Sequence, residues 1–381
     1  MMKFKTCFVL LLGLHFGFLF MNIPPSIEKM MEVYRIGYTQ MGVLVSAFLW
    51  THTLLQIPGG MIVDRVGTRL SILAGLIFML LGSILPLISA DFGLAVLGRV
   101  LIGIGTGASF IACMKLITLF AGPERSGFYQ ALFGGSFSLG NITAYGFIPL
   151  FVRWGWRWVY IPSGMLCIPL IALLLMLRVE DRRAGPSSPL SFGKILRHPT
   201  GWVLGAYHAI SYGSILTLGN WVPSLLADLW GYTAAQLAWG GVVIMSIGLI
   251  GRVMGGFLLK RLPAALIANG SILVLLFLLI LFQVPVPGVV LVVAFLMAWF
   301  AASNFGAFWQ IAGRSAPDGS VGTLFGFINF LANLGTVFFT LTFGWVKDQT
   351  GTFSLGFGVL AVFTALSLMA GFNVIRRNQG S

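Results

Sequence analysis

The sequence predicts an all-α membrane protein with twelve transmembrane helices in two pseudo-symmetric six-helix bundles. Three observations predict it. Hydrophobic residues make up 58% of the 381 and charged ones 9%, and the mean hydropathy is +0.96; no water-soluble globule hides that much apolar surface. Apolar runs long enough to cross about 30 Å of hydrocarbon recur from end to end. Finally, the second half of the chain repeats landmarks of the first, a sign of duplication in membrane proteins.

The runs place spans at 7–25, 39–63, 69–89, 92–119, 126–151, 155–178, 200–226, 234–259, 263–283, 287–312, 320–347 and 353–376. The opening MMKFKTCFVLLLGLHFGFLF has the basic start and apolar run of a signal peptide, yet no small-residue cleavage site follows, so it is expected to stay as the first span. Between the sixth and seventh spans lies VEDRRAGPSSPLSFGKILRHPT, the longest polar interruption. Its Pro, Ser and basic content marks a linker, which divides the chain into bundles at 1–178 and 200–381 joined by 179–199.

The formal charge of +13 does not indicate nucleic acid, because the bases are scattered over short connections. With a cytoplasmic N-terminus, the inside segments hold Lys3, Lys5, Arg65, Arg69, Arg125, Arg178, Arg182, Arg183, Lys194, Arg197, Lys260, Arg261, Arg314, Arg376 and Arg377. The outside segments hold Lys29, Arg35, Arg153, Arg157 and Lys347. This asymmetry predicts both termini in the cytoplasm and insertion in the cytoplasmic (inner) membrane. Cys7, Cys113 and Cys167 have no metal-ligand spacing, and the sequon at Asn141 falls inside a span, so no metal, disulfide framework or glycan is expected.

Several landmarks recur at nearly one offset. IPPS at 23–26 pairs with VPS at 222–224, GYTQ at 37–40 with GYTAAQ at 231–236, and PERSG at 123–127 with PDGSVG at 317–322. Thr39 and Thr233 stand where an N-cap of the second helix of each half is expected. GGMIVDR at 59–65 pairs with GGFLLKR at 255–261, so Asp64 and Lys260 occupy the same corner of two copies. A carboxylate at a helix end can pair with bases and face the positive N-terminus of a neighbouring helix, contacts that suit a latch.

These features resemble the major facilitator superfamily over essentially the whole chain. Its loop signature between the second and third helices, G-x-x-x-D-R-x-G-R-R, is filled by Gly60, Asp64, Arg65, Gly67 and Arg69, with Thr68 the one departure. The resemblance implies that this corner gates the cytoplasmic side; Lys260 and Pro263 depart from the pattern in the second copy. It also implies a cavity lined by the first, fourth, seventh and tenth helices, supported by the second, fifth, eighth and eleventh. Arg99 with Gly103 and Gly105 is similar to the R-x-x-x-G-x-G pattern that handles substrate or protons in several branches. GGSFSLGN in the fifth span has a likeness to the glycine-asparagine signature of nitrate/nitrite porters, which the eleventh does not repeat, and the chain as a whole has a likeness to organic-anion porters. The Gly-Pro element of drug/proton antiporters is missing from the fifth span.

Lipid penalises charge, so ionisable residues deep in spans point to a pathway. Arg99, Lys115 and Arg252 qualify, and no Asp or Glu is expected well inside a span to offset them. A hydrated, anion-attracting cavity resolves this; snorkelling is the other resolution, to the cytoplasmic headgroups for Lys115 and Arg252, and it stays open for Arg99 as well. The polar residues His15, His208, Tyr212, Asn304 and Asn333 join the three bases as substrate-binding candidates. His15, His52 and His208 are the side chains in spans that can titrate near neutrality, unless the substrate brings the proton.

The expected function is therefore secondary active transport of a small organic or inorganic anion by alternating access, either proton-coupled or by exchange, in a monomer without cofactor. An exporter of amphiphilic or drug-like molecules would require an acid in the cavity. A non-transporting receptor or scaffold of the same fold would more naturally carry a large extramembrane domain. No nucleophile–base pair, phosphate loop or metal cluster suggests an enzyme.

Overall fold

The computed structural model describes residues 2–177, 192–230, 234–283, 287–317, 319–351 and 354–377. Nearly all of them are helical, and no strand occurs among them. Of the linker expected at 179–199, residues 179–191 lie outside the described residues, as does the expected cap Thr233, and Phe192–Leu196 forms a short helix.

The helices group into twelve spans, as the sequence predicts. The first is Met2–Met21, the second Tyr38–Leu54 continued by Gln56–Val66, and the third Thr68–Ile88. The fourth is Phe92–Gly122 and the fifth runs over 123–152. Ile161–Met176, Pro199–Trp230, Ala234–Leu258 and Ala264–Leu281 are the sixth to ninth. The tenth is Pro287–Ser303 continued by Phe305–Ser315; Val321–Thr350 and Ser354–Arg377 complete the set. Among the described residues, seven helices are long and apolar enough to cross a bilayer by that test alone, eight with the bent second span.

Local chemistry explains the irregularities. The second span bends by 49° at Leu55, because the ring of Pro58 clashes with the carbonyl of Leu54 and contributes no N–H. The fourth and fifth spans meet without the expected loop: a single residue, Gly122, with φ 73°, turns the chain between them. Asp91 caps the fourth span by accepting from the Leu94 N–H at 2.8 Å. At the start of the second span the cap position is held by Gly37, two residues earlier than the expected Thr39, and Gln40 Oε1 reaches back to accept from the Gly37 N–H at 3.3 Å; Thr39 lies inside the first turn.

The chain forms two compact units. The first contains 1–122, 136–190 and 316–326; the second contains 123–135, 191–315 and 327–381. Within the first, glycines let helices touch backbone to backbone: a side chain at Gly75 or Gly82 would overlap the Gly105 or Gly98 carbonyl of the fourth span. The same unit carries a short helix, Ile27–Tyr34, whose Met30 and Tyr34 pack on Ile23, Leu44, Ala95, Ile148 and Tyr160.

Candidate functional site

The first unit holds two polar centres. Arg99, from the fourth span, is only 1% exposed. Its Nη1 donates to the Leu19 carbonyl of the first span at 3.1 Å and to Oδ1 of Asn22, the residue that follows that span, at 3.2 Å. The guanidinium lies over the Phe48 ring, 4.6 Å from its centroid, so a π face supplies some of the negative potential that a carboxylate would give. Among the described residues no carboxylate pairs with Arg99, and its Nε and Nη2 have no hydrogen-bond partner. Asn22 is fixed in turn, donating from Nδ2 to the Val159 carbonyl at 3.1 Å and to Ser163 Oγ at 3.4 Å.

One turn deeper, His52 is enclosed by Phe20, Phe48 and Phe110, with ring centroids 5.0 to 6.1 Å away. Its Nδ1 lies 3.0 Å from Thr106 Oγ1 and its Nε2 2.7 Å from Gln56 Nε2. With the amide N–H donating to Nε2, the proton belongs on Nδ1, the neutral tautomer that bonds the threonine. His15 is not part of this centre. It faces the sixth span, its Nε2 3.3 Å from Cys167 Sγ.

The second centre is the corner at the end of the second span. Asp64 is fully buried. One carboxylate oxygen accepts from Lys115 Nζ at 2.7 Å and from the Gly322 N–H at 2.9 Å. The other accepts from the Thr323 N–H and Oγ1, each at 2.7 Å. Gly322 and Thr323 lie in the first turn of the eleventh span, where N–H groups have no intrahelical acceptor. The residue at the cap position, Ser320, turns its hydroxyl to the Pro317 carbonyl at 2.7 Å, so Asp64 supplies the missing cap from another helix. Gly60 makes the approach possible, since any side chain there would overlap the Gly322 carbonyl.

This corner corrects one expectation. Lys115 does have a carboxylate partner inside the bundle, because Asp64 is buried between it and the helix start that the carboxylate caps. Lys115 is thereby held away from Arg99 and bound into the corner. Of the other corner residues, Gly67 ends the second span at φ 95°, Arg65 is exposed, and Arg69 donates to the Leu175 carbonyl at 3.0 Å.

The second unit gathers the candidates from the C-terminal half. Arg252 donates from Nη1 to the Gly134 carbonyl at 2.8 Å and lies over the Phe305 ring, 4.9 Å from its centroid. It is 7% exposed, so snorkelling to the headgroups is not how it is accommodated. His208 hydrogen-bonds Asn329. His208 stacks on Tyr212 at 6.0 Å and meets Trp309 edge-on at 5.4 Å. Asn304, at the break in the tenth span, donates to Ser211 Oγ at 2.9 Å while its Oδ1 has no partner. Asn333 is half-buried on the eleventh span, its Nδ2 likewise without a partner among the described residues.

Aromatic residues are what the sequence reading overlooked. Phe48 and Phe305 each underlie a buried arginine, and their signal is weak because they are two of 33 phenylalanines.

Twelve spans in two related halves, a buried carboxylate capping the start of another helix and basic residues buried inside the spans are the features of a membrane-transporter fold. The sequence matches the Major Facilitator Superfamily over residues 9–340, and the chain belongs to that family. It is 25% identical over 369 residues to the hexuronate transporter of Bacillus subtilis, covering 88% of this chain and 86% of that one. It is 24% identical to the probable galactarate/D-glucarate transporter GarP of Escherichia coli K12, covering 84% and 82%. The fold is similar to the crystal structure of the superfamily transporter FucP in the outward conformation, with a TM-score of 0.81, 18% identity and coverage of 96% and 98%. The protein is thus an integral membrane transporter of this superfamily, with anion carriers among its relatives.

Proposed function

We propose that the protein is a secondary active transporter for small organic anions of the sugar-acid type, working by alternating access in the cytoplasmic membrane with both termini inside. The observation that carries this reading is Arg99: a buried cation, with no carboxylate partner among the described residues and two donor nitrogens unused. A buried charge left part-satisfied costs free energy unless something comes to meet it. The relatives named for hexuronate and galactarate/D-glucarate supply the chemical class. Arg252, with His208, Tyr212, Asn304 and Asn333 around it, offers the second unit's share of polar contacts. His15 and Lys115, which the sequence also offers as substrate-binding candidates, contact Cys167 and Asp64, contacts that support a packing role for the first and a place at the gate for the second.

Asp64, Arg65, Gly60, Gly67 and Arg69, now with Lys115 and Thr323, form the gate. The bodies that move are the six-span halves at 1–178 and 200–381, joined by 179–199. The protein acts as a monomer, and transport is driven by proton symport or by anion exchange. The anion can bring the proton on its own carboxyl group, so the protein needs no acid for it.

The test is uptake of radiolabelled D-glucuronate, D-galacturonate, galactarate and D-glucarate into proteoliposomes. Wild-type protein should accumulate at least one of them and Arg99→Ala should abolish that uptake at normal expression. Uptake by Arg99→Ala at the wild-type rate overturns the reading.

A further inference from the structure

We propose that Asn22 is a positioning residue that turns Arg99 into a two-pronged carboxylate receptor, with the Nε–H and Nη2–H edge as the binding edge. This rests on the anion-transport reading above and deepens it. A guanidinium presents two parallel N–H pairs that fit the oxygens of a carboxylate: the end formed by the two terminal nitrogens, and the side formed by Nε and Nη2. In Arg99 the end is compromised, because Nη1 is committed to the Leu19 carbonyl and Asn22 Oδ1. The side is intact, since Nε and Nη2 are the two nitrogens without partners among the described residues.

The committed nitrogen acts as an anchor. Asn22 takes it with its oxygen and uses its amide N–H groups on the Val159 carbonyl and Ser163 Oγ, so the amide bridges the first, fourth and sixth spans. Asn22 is fully buried, which leaves it no competing water from bulk solvent. Phe48, whose ring centroid lies 4.6 Å from the guanidinium carbon, closes one side of the group. A fork held at its far corner and supported on one face is preorganised, so the anion does not spend binding energy on ordering it. An asparagine suits this place better than an aspartate: it accepts from the arginine without neutralising the charge that the anion needs.

The experiment uses full-length protein in detergent and compares binding of each sugar acid with its uncharged carboxamide, by thermal shift and calorimetry. The ratio of acid to amide affinity isolates what the fork contributes, and a general loosening of the bundle lowers both affinities alike. In Asn22→Ala the ratio should fall about tenfold from wild type, as expected for a charge-assisted pair that has lost its geometry. Asn22→Asp is nearly isosteric and guards against misfolding; its added negative charge on Nη1 should lower the ratio at least as far. Wild-type ratios in both folded variants overturn the role of Asn22 while leaving the transport reading intact. If wild-type protein binds none of the sugar acids, the reading and this inference fall together. If Arg99→Lys, which keeps the charge but has no fork, matches the wild-type ratio, the two-pronged receptor is refuted even though an anion still binds.

Discussion

The duplicated corner has two outcomes in one chain. In the first copy Asp64 is fully buried and meets four donors from the fourth and eleventh spans. In the second, Lys260 occupies the equivalent place, exposed, with its ammonium 4.1 Å from the Phe128 ring centroid and 4.7 Å from that of Phe257. A lysine cannot cap a helix start, whose free N–H groups repel it. The helix start beside it, at 123–127, carries its own acid instead: Glu124 pairs with Arg314 at 2.7 Å, and Gln310 Nε2 donates to the Glu124 carbonyl at 3.1 Å. The same backbone repeat therefore makes a desolvated charge cluster in one unit and a surface cation–π contact with an exposed ion pair in the other. Only the first kind is costly to take apart, which suits it to a gate with two definite positions.

The difference can be broken from its strong side first. Asp64→Ala should have the largest effect, about 3–5 kcal/mol of destabilisation, because Lys115 is left as an unpaired buried charge beside two uncapped N–H groups; thermal unfolding in detergent reads it. Asp64→Asn should shift cysteine accessibility on the two membrane faces, and an unchanged pattern refutes the gate. Lys115→Met should cost less, on the order of 1.5–3 kcal/mol, since Asp64 keeps its three other donors on the eleventh span. If it proves worse than Asp64→Ala, the lysine and not the helix start is the dominant partner. Lys260→Gln should change stability by only about 0.5–1 kcal/mol, the range of exposed cation–π contacts. Glu124→Gln should fall below about 1 kcal/mol and vanish in high salt, because the side chains of that pair are 84% and 43% exposed. A large effect from either of the last two would mean that the second corner is a gate as well.

The comparison also separates what can be read in the sequence from what cannot. The spans, the repeat and the charged corner are legible because lipid imposes length and apolarity on each helix and because duplication leaves paired motifs. Asp64 facing a helix start follows from its place at a span end. The partner Lys115 does not follow: it is 51 residues away, and its rotation about the fourth span decides whether it meets Asp64 or lipid. In soluble helices an apolar stripe reveals such rotation, but here both the packed and the lipid-facing sides are apolar and the period is lost. For the same reason neither the contact of His15 with Cys167 nor the rings beneath Arg99 and Arg252 can be read from the sequence. The absent loop at Gly122 was unreadable for another reason: one left-handed glycine does the work of a six-residue turn.

Backbone contact at Gly60 and Gly322 makes a place where bulk alone can steer the protein. A single methyl wedged at either glycine acts as a doorstop, holding the corner ajar with every charge still present. Alanine at these two positions would therefore bias the transport cycle by shape alone, and a small hydrophobic molecule seated in the seam could do the same from outside.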